Sequence, residues 1–99
     1  MDAADSLNEE AARQIVELGN ELADRHPDAD LWSIADGLLA GAIHWWLYAN
    51  QPCSDISCEE CAPVCTASLR MHQLRTLLAE YAESSEYYHS PNDQDVARA

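Results

Sequence analysis

The sequence predicts an all-α fold: a three-helix bundle or helical hairpin with a cysteine-rich turn, associating through its second helix. Three observations carry that expectation. Apolar residues recur at helical spacing in three stretches of the chain. Only three glycines and four prolines punctuate 99 residues, too few for many short strands and turns. The breaks between the apolar stretches hold capping or helix-breaking residues.

The first helix opens at Ser6, which forms S-x-x-E with Glu9, a capping box ahead of an apolar pattern. Leu7, Ala11, Ala12, Ile15, Val16, Leu18, Leu22 and Ala23 fill one half of its surface. Glu9, Glu10, Glu17, Glu21 and Asp24 fill the other half, with Arg13 among them. Glu9 with Arg13, and Glu21 with Arg25, have the favourable i,i+4 order. His26-Pro27 ends the helix.

Asp28 or Asp30 caps a second helix running from about Leu31 to Asn50, stopped by Gln51-Pro52. This helix differs in kind. Its apolar residues, Trp32, Trp45 and Trp46 included, cover well over half of its circumference, more than one contact surface. Gly37-x-x-x-Gly41 lies in the remaining strip and permits close approach of another helix. Two partner helices in so small a chain leave part of this surface uncovered, so a homodimer is expected to hide the rest.

A third helix is expected from about Val64 to Tyr88, with Pro63 in its first turn and Val64, Ala67, Met71, Leu74, Leu78, Tyr81 and Ala82 as its stripe. In domain terms, residues 1–5 are expected to be a disordered N-terminus, 6–89 a single helical domain and 90–99 a flexible polar tail.

Charge limits what the chain touches. The formal net charge is −13, with a hydrophobic fraction of 47% that excludes wholesale disorder. Such a field repels nucleic acid and anionic membrane and attracts basic surfaces, so no direct nucleic-acid contact is expected. MDAADSLNEE has acids where a secretory signal needs a basic start, and the uncharged run from Gly37 to Ser54 is broken by His44. A cytoplasmic location and reduced thiols are the corresponding expectations, with no membrane association.

All four cysteines fall within "CSDISCEECAPVC": Cys53, Cys58, Cys61 and Cys65. The spacing is C-x4-C-x2-C-x3-C. Cys58-x2-Cys61 is the knuckle that lets two thiolates approach one zinc, and Cys53 and Cys65 would complete a tetrahedral four-sulfur site. An iron–sulfur cluster is the neighbouring reading. The bacterial run C-x2-C-x2-C-x3-C-P differs in its first gap and has proline where Thr66 stands. Four cysteines also allow three disulfide pairings, between which sequence cannot choose. A catalytic dithiol is disfavoured, because Glu59 and Glu60 inside the C-x-x-C oppose thiolate formation. The plainest reading is four thiols acting as small hydrophobes that line the turn. His72 shares a helical face with Cys65 but lies about 10 Å along the axis, too far for one ion. His44 stands two turns before its helix ends.

No nucleophile elbow or phosphate loop occurs, which favours a binding protein over an enzyme. The leading expectation is a small acidic helical protein that contacts a partner with a basic surface, of the kind that otherwise holds nucleic acid. Glu9, Glu10, Glu17, Glu21 and Asp24 would carry that contact. In size, charge and helicity the chain resembles the phage-type inhibitors that mimic DNA, a resemblance of class and not of motif. The alternative is a metal-binding or thiol-based accessory module centred on the four cysteines. An enzyme built at a dimer interface, with His44 or His72 as base, ranks last.

Overall fold

The computed structural model describes residues 3–55 and 57–93. Expectations for residues 1–2 and for the tail beyond Asp93 lie outside the described residues. Three α-helices and one 3-10 turn are present: α1 (Ala3–Arg25), α2 (Leu31–Ala49), a 3-10 turn (Ala62–Val64) and α3 (Ala67–Ser84). There is no strand among the described residues. The chain divides into two compact units, Met1–Ala49 and Asn50–Ala99.

The first unit is the helical hairpin. α1 begins at Ala3, inside the segment expected to be disordered, so Ser6 and Glu9 lie within the helix and not at its cap. Alanine has the best helix propensity, and Asp5 sits favourably against the positive end of the helix dipole. Arg13 bonds Glu17 at 2.8 Å and reaches Glu10 at 3.7 Å, instead of the expected Glu9. Glu21 and Arg25 form no ion pair among the described residues. Exposed pairs of this kind differ by fractions of a kcal/mol, so spacing alone does not choose between them.

His26-Pro27 stops α1, and Ala29 N–H closes the connecting turn on the His26 carbonyl at 2.9 Å. Asp30, one of the two expected caps, starts α2: its carboxylate accepts from the Trp32 N–H at 3.0 Å. The two helices pack against each other, with Leu38 of α2 over Gly19 of α1. A Cβ at Gly19 would stand 3.0 Å from the Leu38 Cδ1, so the lack of a side chain sets this approach.

The second helix does not become a buried core within the chain. None of its residues is buried. Trp46 is half-buried, whereas Trp32, Trp45 and Tyr48 are 80%, 66% and 71% exposed. Trp45 and Tyr48 meet edge-to-face at 5.9 Å on the outside of the helix. A single helix covers one stripe, and the apolar girth of α2 is wider than one stripe. No helix is long and apolar enough to cross a membrane among the described residues.

The second unit holds the cysteine loop, the 3-10 turn and α3. Pro63 falls in the 3-10 turn, so α3 starts later than Val64. Its N-cap is Thr66, whose backbone is extended (φ −120°, ψ 162°) and whose hydroxyl accepts from Leu69 N–H at 3.1 Å. The helix ends at Ser84, short of Tyr88. Leu74, 6% exposed, is the one buried hydrophobic side chain among the described residues. Arg70, Gln73 and Leu77 are half-buried beside it, while the expected stripe members Met71, Leu78 and Tyr81 are exposed. The covered face is therefore turned toward Arg70 and Leu77. Beyond α3, Ser90 and Asp93 close a hydrogen-bonded turn, with Ser90 N–H donating to the Asp93 carboxylate at 3.1 Å. The sequence suggested a frayed tail there.

Gly37→Ala and Gly41→Ala probe the outer strip of α2. A Cβ at either position meets nothing within 4 Å. Each substitution is expected to gain about 1 kcal/mol in urea unfolding, from helix propensity alone. A loss in both would mean that a second helix already occupies the strip, and that a partner copy docks there instead of on the aromatic side chains.

Candidate metal centre

Among the described residues between Pro52 and Thr66, several tight turns are each fixed by a specific hydrogen bond. Asp55 begins the first. Its carboxylate accepts from Ser57 Oγ at 2.7 Å and Ser57 N–H at 3.0 Å, an Asx-type closure. Those two donors, the hydroxyl first, hold the Asp55 carboxyl below its ordinary range. The Asp55 carbonyl accepts from Cys58 N–H at 3.1 Å, which reverses the chain. Further i→i+3 closures follow, from Ala62 N–H to Glu59 at 3.3 Å, Val64 to Cys61 at 3.0 Å and Cys65 to Ala62 at 3.3 Å. Arg70 reaches back from α3 to the Val64 carbonyl at 3.0 Å and ties the loop to the helix.

This path brings Cys53, Cys58 and Cys61 together, with their three sulfurs all within 4.8 Å of one another. Tetrahedral coordination with metal–sulfur bonds of about 2.3 Å places sulfurs about 3.8 Å apart. The loop therefore needs to contract by an ångström at most. All four cysteines are free thiols.

Backbone amides point at these sulfurs. Cys53 N–H donates to Cys61 Sγ at 3.3 Å. Cys58 sulfur accepts from the Cys61 N–H foremost. The Cys53 and Cys61 thiols and the Glu60 N–H add to this, and together they push the Cys58 pKa below the ordinary thiol value. The Cys53 N–H is also the strongest influence on Cys61 and lowers its pKa. The Cys53 and Cys58 thiols and burial outweigh it, and Cys61 is raised.

Of the four cysteines the sequence singled out, three are assembled and one is not. Cys65 does not join the group in which all sulfurs lie within 4.8 Å. Cys65 closes the 3-10 turn and directly precedes the Thr66 cap. No histidine belongs to the group among the described residues, and His44 and His72 are both exposed. Asp55, Glu59 and Glu60 are exposed and contribute no ligand atom to it. Glu9, Glu10, Glu17, Glu21 and Asp24 are exposed along α1, with Arg13 engaging Glu10 and Glu17.

Sequence reading missed the amide donors and the Asx closure. The closure had a signal in Asp55-x-Ser57, a spacing that favours a side-chain turn. In reduced, metal-free protein near pH 7, Cys58 is expected to alkylate before Cys61, read by mass spectrometry after brief iodoacetamide treatment. Equal rates would contradict the amide arrangement. No family model, curated protein or solved structure matches this chain.

Proposed function

We propose that this chain is a metal-binding accessory module that holds one thiophilic divalent ion, zinc foremost, through Cys53, Cys58 and Cys61. The observation that carries this reading is the convergence of three sulfurs within 4.8 Å in a loop whose amides donate to two of them. Thiolates repel one another, and a cation is the chemistry that makes their proximity favourable. Amide donors reduce the repulsion and orient the lone pairs inward, the role that outer-shell hydrogen bonds play around metal-bound ligands.

Zinc fits better than an iron–sulfur cluster, which takes four thiolates where the group has three. Calcium and magnesium take oxygen ligands and do not suit this donor set. The acidic face of α1 supports a partner-binding reading less strongly. Glu9, Glu10, Glu17, Glu21 and Asp24 stand where any solvated helix face carries charge, and no feature beside them selects a basic partner.

Zinc competition against a chromophoric chelator tests the proposal. The reduced protein is expected to bind one equivalent and release protons as it does so. Structural zinc binding of about 10–16 kcal/mol spread over four ligands is about 3 kcal/mol each, so Cys53→Ser, Cys58→Ser or Cys61→Ser should weaken binding roughly a hundredfold. Four freely reactive thiols with zinc in excess would remove the reading.

A further inference from the structure

Resting on that metal reading, we infer that the site supplies three protein ligands and keeps its fourth coordination position for a neutral donor from outside the loop. Water fills it in the isolated protein, and an imidazole-type nitrogen replaces the water when one is offered.

The sequence suggested Cys65 as the fourth ligand. The structure instead fixes Cys65 in a different turn. Its N–H is committed to the Ala62 carbonyl, the preceding Val64 carbonyl is held by Arg70, and the following Thr66 caps α3. Nearby carboxylates do not substitute for it. Asp55 is engaged by both donors of Ser57, and neither Glu59 nor Glu60 brings an oxygen into the group. Tetrahedral zinc takes four ligands, and sites that are purely structural close all four from the protein. Three protein ligands with an open position is the arrangement of sites that exchange a ligand.

Charge selects the ligand class. Three thiolates and one divalent cation sum to a single negative charge, and Asp55, Glu59 and Glu60 in the same loop add more. An anion approaching the fourth position meets that field. A neutral nitrogen donor does not, and imidazole is among the preferred ligands of zinc.

Cobalt(II) substitution reads the coordination sphere directly. Wild type and Cys65→Ser are each expected to bind one cobalt with the same visible d–d bands and affinities within about threefold. Added imidazole should shift those bands in both proteins, and azide at equal concentration should not. Cys65→Ala serves as a second variant, and far-UV circular dichroism verifies that helix content is retained in each. If Cys65→Ser and Cys65→Ala both weaken cobalt binding roughly a hundredfold and change the bands, Cys65 is the fourth ligand and the inference is overturned. Bands unmoved by imidazole in wild type also overturn it. A wild type that takes up no cobalt overturns the metal reading itself.

Discussion

One constraint organises the cysteine loop: three sulfurs that would repel once ionised lie within 4.8 Å of one another, with backbone N–H groups donating to them. The Cys53 amide on Cys61 Sγ spans eight residues and closes the loop on itself. The amides of Cys61 and Glu60 meet the Cys58 sulfur from within the C-x-x-C turn. At Cys58 these donors favour the thiolate, as a lysine or histidine would, and they do it without a side chain; at Cys61 the neighbouring thiols and burial outweigh the amide. The two glutamates inside the motif argue against thiolates when read as charges. Read as backbone, one of them supplies a donor.

The loop also determines where α3 begins. The Val64 carbonyl is bound by Arg70, and Thr66 caps the helix one residue after Cys65. An ion drawing the three sulfurs together would order the turns that lead into that cap. Small domains with thin cores commonly draw stability from a metal, a disulfide or a partner copy. Here Leu74 is the one buried hydrophobic side chain among the described residues, and the cysteines are free. The exposed Trp32, Trp45 and Tyr48 of α2 are the surface for which the sequence suggested a second copy.

Helix number, the Asp30 cap and the breaks at His26-Pro27 and Gln51-Pro52 were legible in the sequence, because periodicity and capping are local properties. The start of α3 was not. Pro63 is a good first-turn residue, but it also suits a 3-10 turn, and Thr66 without a glutamate three residues later is a quiet cap. That displacement of three residues places Cys65 ahead of the Thr66 cap instead of in the first turn of the helix. The breadth of apolar surface on α2 was legible as well, yet breadth does not say what covers it. The exposure of Trp45 beside a half-buried Trp46 follows from their angular separation of about 100°. The N–H donors to sulfur could not be seen, since amide direction depends on backbone angles that residue identity does not fix here.

X-ray absorption at the zinc edge of the stoichiometric zinc protein tests the three-thiolate geometry most directly. The account predicts a first shell of three sulfurs at about 2.3 Å and one nitrogen or oxygen at about 2.0–2.1 Å. A shell of four sulfurs, or one made of light atoms alone, would contradict it.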